Sequence, residues 1–574
     1  MELFLIDAIG PFFRNHTRST INWSKIPFSH LATSGPEATE QWQLIHQDMR
    51  DFAREISNLG YNAVTLDDLA HLATHPLHEP DIAASISFFR EQFSSLFDLL
   101  TEEYGLMVFL TSDVIPVTPA IEKYLSKKHG KLDEYYISLV TNTLDDFPQL
   151  SGVILRIGES DGVDVKDPIR TRLHLRNAHD TNRLIKKLLP EFDARNKRLI
   201  LRTWTVGAHK IGDLIWHRDT LKETLADIDS PNFIVSMKHG ESDFFRHLPL
   251  NKAFFHVKQS KIIELQARRE YEGAGEFPSF IGADCEQFAR ELEQVETMIG
   301  VSVWCQTGGW HRFQRLAFLE GNRHSCIWIR LNAAAAIHVF RYKWSVEQSV
   351  EHILGADRAQ AALELLRHTD TVISEIFYLK EFATKKLFFR RVRIPPIIHI
   401  YWESLFINQA VSEILNHFIA DPLPGIRSSE AAHLLFPRMI RLARKADLPV
   451  DDIEHMRDLF NLILLARRYY FMPPDEAINN QIRVAKKLYK QNYPSGARNR
   501  YRIKISFVPF HLKRRTLSWL FSLLLRKQRG YRLIDHMFTL HLLGFIYRVF
   551  KPRDPKKIPK LLRKSAMGMD ALFK

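Results

Sequence analysis

Eight short apolar runs recur along the first 340 residues, and their spacing constrains the fold more than any other feature of the chain. They are Ile21–Phe28, Asn62–Leu66, Leu106–Leu110, Gly152–Ile157, Arg198–Trp204, Phe233–Met237, Lys261–Leu265 and Gly300–Cys305. Each is five to eight residues long and most are rich in β-branched and aromatic residues, the composition of buried strands. Successive runs start 28 to 46 residues apart, the length of a strand, a helix and two loops. Helical patterns such as Trp42–Leu59 and Asn182–Leu189 fill the intervals. Eight such units predict a (β/α)8 TIM barrel over residues 1–340. Leu3–Ala8 and Cys326–Leu331 are apolar runs too, so an open doubly wound sheet satisfies the same count.

From Ser345 to Ala477 the periodicity turns helical, with Ala359–Arg367, Asp370–Ala383 and Trp402–Ile419 separated by the proline breaks Pro395-Pro396 and Pro422–Pro424. An all-helical domain is expected over 341–480. Charge then divides the chain. Residues 481–574 hold 24 Lys+Arg against three acids, or +21, whereas the first 480 residues hold 55 against 63, or −8. The basic segment contains two apolar stretches, Thr516–Leu525 and Met537–Phe550, both shorter than the roughly 20 residues of a spanning helix. Lys513-Arg514-Arg515 and other basic clusters flank them. Two readings fit: helices lying on anionic lipid, or a hairpin packed on the rest of the protein with a solvated basic rim. Nucleic acid is not expected, because no recognised binding motif accompanies the charge. Three cysteines without a Cys-x-x-Cys pair exclude a disulfide framework and argue against structural zinc. Met1–Asp7 has no basic n-region, so a cytoplasmic protein is expected, peripheral on the inner face of the membrane if the basic segment binds lipid.

In a barrel the working residues leave the C-terminal ends of the strands. The fourth run ends in Arg156 and leads to Glu159 and Asp161; the fifth gives Arg202 and Trp204; the sixth gives Lys238, then Asp243. The seventh gives Glu264 and Gln266, then Glu270 and Tyr271; the eighth gives Trp304, then Trp310 and His311. Carboxylates suit acid and base work, indoles stack on pyranose faces, and Lys or Arg hold an acidic substituent. Each residue also has a plainer reading. Glu264 suits an ion pair inside the barrel, Lys238 one at its mouth, Glu159 and Asp161 suit helix caps, and Trp304 and Trp310 suit the core.

At these residues the sequence resembles the α-glucuronidases of glycoside hydrolase family 67. Phe233–Gly240 with Asp243-Phe244 is similar to the family's strand ending in Lys-Asn-Gly-Pro-x-Asp-Phe. Glu264-Leu265-Gln266 followed by Glu270-Tyr271-Glu272-Gly273 is similar to its Glu-Leu-Gln-x-x-x-Glu-Tyr-x-Gly. Looser similarities cover Arg156–Gly162, where Asp161 stands for a family Glu, then Arg170-Thr171 with Asn182, and Asn22-Trp23. The resemblance spans about residues 20–340. It implies an inverting glycosidase that removes an α-linked uronic acid, with Glu270 as general acid. The family's acid after strand eight is missing from Val303–His311, which leaves Glu320 and Asp284 as substitutes for the base.

The sequence therefore predicts a glycoside hydrolase-like barrel for an acidic glycan. Glu270, Glu320 and Asp284 are the catalytic candidates. Lys238, Arg202, Trp204, Asp161, Glu159, Asp243, Gln266, Glu264, Tyr271, Trp304, Trp310 and His311 are the substrate contacts. No metal or cofactor is expected. The alternative is a non-catalytic glycan-binding or scaffold protein of surface-polysaccharide assembly. The partners this reading allows are a saccharide with an acidic group, an anionic membrane surface through residues 500–574, and a second copy of the chain through the helical domain.

Overall fold

The computed structural model describes residues 1–14, 28–126, 132–157, 168–171, 174–205, 210–305, 315–319, 326–389, 392–393, 395–401, 404–494, 503–508 and 549. Eight parallel strands close into a barrel: β1 (Leu3–Asp7), β2 (Ala63–Leu66), β3 (Met107–Asp113), β4 (Leu150–Arg156), β5 (Arg198–Arg202), β6 (Phe233–Lys238), β7 (Ser260–Gln266) and β8 (Met298–Trp304). Strand β1 closes the ring between β8 and β2, with Leu3 opposite Gly300 and Leu5 opposite Ala63. The open-sheet alternative is thereby excluded.

The strands are near-continuous apolar runs because both of their faces are buried. Outward residues such as Val64, Leu110, Val153, Leu201, Val235 and Val303 join the large core under the surrounding helices. Inward residues Leu3, Leu5, Ala63, Phe109, Ile154, Ile200, Ile234 and Ile262 form a separate cluster that plugs the barrel. Gly152 and Gly300 stand where the pairing register shifts, and a Cβ on either would lie 1.9 Å or less from the neighbouring strand's carbonyl oxygen. Only glycine lets the strands approach that closely there.

The helix Gly35–Leu59 shows the outer layer's logic. Trp42, Ile45, Met49, Phe52 and Ile56 recur at helical spacing and are buried. Gly60 ends the helix at φ 104° and caps Ile56 and Ser57 through its N–H.

Several boundaries differ from the sequence expectation. The first strand is Leu3–Asp7, not Ile21–Phe28; of that run only Phe28 is described, opening a short 3-10 turn. Leu3–Asp7 is uninterrupted and buried throughout, whereas Ile21–Phe28 is broken by Ser24, Lys25 and Pro27. Cys326–Leu331 is no strand: Ile327–Ile337 is a buried helix that follows β8.

Beyond it the chain is mainly helical, through Val346–Leu354, Ala356–Val372, Leu423–His433, Phe436–Lys445 and Val450–Phe471. A small sheet interrupts it. Ser404–Asn408, expected as the start of a helix, pairs antiparallel with Ile400–Tyr401 and parallel with Lys504–Val508. The helix begins only at Gln409, capped by the Asn408 side chain. The division expected at residue 481 falls inside the helix Glu476–Asn492, which packs on Val450–Phe471. Among the described residues no helix is long and apolar enough to cross a membrane. The apolar stretches Thr516–Leu525 and Met537–Phe550 lie outside the described residues, apart from Val549.

Candidate functional site

Along each strand the inward positions change character towards the C-terminal end. Above the apolar plug stand Asp7 on β1, Thr65 on β2, Thr111 and Asp113 on β3, Arg156 on β4, Arg202 on β5, Ser236 and Lys238 on β6, Glu264 and Gln266 on β7, and Ser302 and Trp304 on β8. The alternation that points Leu5 or Ile262 inward puts Asp7 and Glu264 on the same side two residues later. The result is a polar cup over a dry floor.

Three linked groups make up the cup. In the first, Arg202 Nε donates to both oxygens of Glu264, at 3.1 and 3.0 Å, and the Ser236 hydroxyl donates to Glu264 Oε1 at 2.7 Å. The Arg202 guanidinium also lies 4.4 Å from the centre of the Trp304 ring. Trp304 Nε1 and Thr65 Oγ1 are buried without a hydrogen-bond partner among the described residues. In the second, Lys238 Nζ pairs with Asp243 and lies 3.7 Å from the Trp204 ring centre and 4.3 Å from that of Phe244. Asp243 also accepts from the Tyr271 hydroxyl at 2.7 Å and the Phe244 N–H at 2.9 Å. Burial alone would raise the Asp243 carboxyl. The Lys238 charge and these hydrogen bonds outweigh it and hold the group below the ordinary aspartate value.

The third group lies on the other side of the ring. Arg156 Nε donates to Asp113 at 2.9 Å, and Arg156 Nη1 lies 3.3 Å from Asp67. Thr111 donates to Asp67, and His71 Nδ1 is 2.6 Å from Asp68. Asp7, Asp67, Asp68 and Asp113 are not among the candidates drawn from the ends of the last five runs. The signal was present: the strand-end rule used for the last five runs selects them when applied to the first three, once β1 is placed at Leu3–Asp7.

Glu270 follows β7 and is buried at 7% exposure; its N–H donates to Gln266 Oε1 at 2.7 Å. Burial pushes the nearby Arg268 down to about 10, with the charges of Cys326, Glu276, Asp7 and Glu270 only partly opposing it. The next residues tie this loop to the helical region. Glu272 accepts from Arg246, Arg269, Ser279 and the Tyr378 hydroxyl, and Arg246 also reaches Asp370 at 3.0 Å. Asp284 sits in the first turn of the helix Gly282–Glu291.

The structure thus brings together Arg202, Glu264 and Trp304 in one group and Lys238, Asp243, Trp204 and Tyr271 in another, with Gln266 holding the Glu270 backbone. Among the described residues, Trp304 and Trp204 each carry a cation over the ring. Glu159, Asp161, Trp310, His311 and Glu320 lie outside the described residues.

No protein-family model and no curated protein matches the chain. Similar solved structures include a mutant O-GlcNAc hydrolase from Thermobaculum terrenum, at 9% identity, covering 78% of this chain and 86% of that one, with a TM-score of 0.37. Another is CpGH89 from Clostridium perfringens in complex with its substrate GlcNAc-alpha-1,4-galactose, at 10% identity, 85% and 53% coverage and a TM-score of 0.40. A GH18 chitinase from Pseudoalteromonas aurantia is similar at 12% identity, 49% and 95% coverage and a TM-score of 0.27. The barrel rests on the strand pairing above and not on these similarities.

Proposed function

We propose that the cup binds a saccharide and that the protein is a glycoside hydrolase of acidic glycans, working by inverting acid/base hydrolysis. One observation carries this reading. Inward charged side chains stand on β1, β3, β4, β5, β6 and β7 at the C-terminal mouth of a closed barrel, the face where this fold places its chemistry. Carboxylates and cations interleave there, as a substrate with many hydroxyls and one anionic group requires.

Glu270 is the general acid in this reading, as the resemblance to family 67 implies. The candidates for the water-activating carboxylate are Glu320 and Asp284, joined by Asp113 at the end of β3 and Asp67 just after β2. Strand β3, which ends in Asp113, lies four strands from β7 in the ring of eight, on the opposite side of the mouth from the strand that precedes Glu270. Lys238 and Arg202 contact the acidic substituent or hydroxyls. An ammonium has three donors, and Asp243 uses one of Lys238's.

The second reading is a non-catalytic glycan-binding protein. Its support is that Asp113, Asp243 and Glu264 are all ion-paired within the cup. Aryl α- and β-uronides and hexosides separate the two. Hydrolysis by the native chain that drops by orders of magnitude in Glu270→Gln, with the melting temperature kept, supports the enzyme. A ligand-dependent rise in melting temperature without product supports the binder. Equal turnover by Glu270→Gln removes Glu270 from the mechanism.

A further inference from the structure

The helix Glu476–Asn492 buries one side only. Ile482 and Tyr489 face the helix Val450–Phe471, where Tyr489 Oη lies 3.1 Å from His455 Nε2. At 100° per residue the opposite side carries Val484, Lys487, Leu488 and Gln491, flanked by Arg483 and Lys490. Val484 is 59% and Leu488 53% exposed. Four cations stand on this helix against the single acid Glu476. The surface continues onto the neighbouring strand, because the Arg483 guanidinium lies 6.0 Å from the Phe507 ring centre and Val508 beside it is 53% exposed.

We propose that this face, from Arg483 to Lys490 with the end of the strand Lys504–Val508, is a docking surface for a membrane containing anionic lipid. The proposal is independent of the saccharide reading. The occupant follows from chemistry and shape. Aliphatic side chains at i and i+4 between lysines match an interface whose outer layer is anionic and whose inner layer is hydrocarbon. The lysine stems cover apolar surface while their ammonium groups stay at the headgroup level. A convex helix face suits a deformable planar surface. The sequence that follows Val508 carries the same sign, with 16 Lys+Arg against three acids over residues 509–574, so attraction to an anionic surface is reinforced rather than opposed.

The test is co-sedimentation of the full chain with phosphatidylcholine vesicles, with and without phosphatidylserine, at low and high salt. The expected result is binding to the anionic vesicles only, weakened by salt. Val484→Ser with Leu488→Ser, and separately Lys487→Glu with Lys490→Glu, should each weaken that binding about ten-fold or more, with unchanged melting temperatures. No binding by the native chain, or equal binding by both double variants, overturns the proposal. A melting temperature lowered by several degrees in the serine variant also overturns it, since the two side chains would then be covered by protein.

Discussion

Replacing Glu272 by glutamine should loosen the junction between the barrel and the helical region, and the size of the effect can be worked from the contacts. Glu272 is 1% exposed. It accepts from Arg246 Nε and Nη2 at 3.1 and 2.9 Å, from Arg269 Nη2 and Nε at 2.6 and 3.3 Å, from the Tyr378 hydroxyl at 2.9 Å, and from Ser279. Glutamine keeps the shape and one acceptor oxygen but leaves two buried guanidiniums short of an anion. Removing one member of a buried pair costs about 3–5 kcal/mol. The retained oxygen puts the expectation at the lower end, about 3 kcal/mol. Over the roughly 340 residues of the barrel, at about 2.1 cal/mol/K per residue, that is about 4 °C in melting temperature.

The pH dependence is a second, independent reading. Burial alone would raise the Glu272 carboxyl, but Arg246 and Arg269 overcome it and hold the group far below its ordinary value of 4.5. A carboxylate depressed in the folded state stabilises fully above its unfolded value and loses that contribution as pH falls below it. The gap between native and Glu272→Gln proteins should therefore be full at pH 7 and shrink below about pH 4.5. Thermal melts followed by circular dichroism and by tryptophan fluorescence measure it, two probes being needed because a chain of this size need not unfold in one step. No gap at pH 7, or a gap that persists unchanged into acid, would refute the reasoning.

Gly273→Ala should cost more than about 1 kcal/mol, because Gly273 has φ +91° and its new Cβ would meet the Phe277 ring at 2.4 Å; a melting temperature equal to the native one would count against it. Trp328→Phe removes the indole N–H that donates to the buried Asp452 at 2.8 Å, and should lower stability by about 1–3 kcal/mol, read from the shift of the denaturant midpoint. Burial pushes His239 down to about 4 and His399 down to about 3. Both are neutral in the folded protein, so the unfolded chain binds more protons below pH 6.5. Stability should fall as pH drops from 6.5 towards 4, by up to about 1.4 kcal/mol per pH unit for each histidine, seen as a falling melting temperature, and a flat profile over that range would sink the assignment.

Seven of the eight strands were legible from the sequence because a strand buried on both faces must be apolar at consecutive positions. The first was not, since both Leu3–Asp7 and Ile21–Phe28 are apolar-rich; the unbroken run Leu3–Asp7 is the one that ring closure uses, with β1 pairing to both β8 and β2. The sheet in the helical region escaped for a related reason. Ser404–Asn408 is a strand because Lys504–Val508, about 100 residues away, supplies its partner, and local periodicity carries no trace of that pairing. Among the site residues, the strand-end rule identified Arg202, Lys238, Glu264 and Trp304 as mouth residues. It could not tell that Arg202 would cover Trp304, or that Lys238 would cover Trp204.

Order along the chain thus determined the barrel, its mouth and the kinds of side chain gathered there, because those depend on periodicity and on the direction in which strand residues point. Which charge neutralises which was decided only by the closed ring. Arg202 and Glu264 are 62 residues apart, and Arg156 and Asp67 are 89 apart. Pairings at such separations follow from strand order and register around the barrel, and these are properties of the assembled sheet rather than of any segment within it.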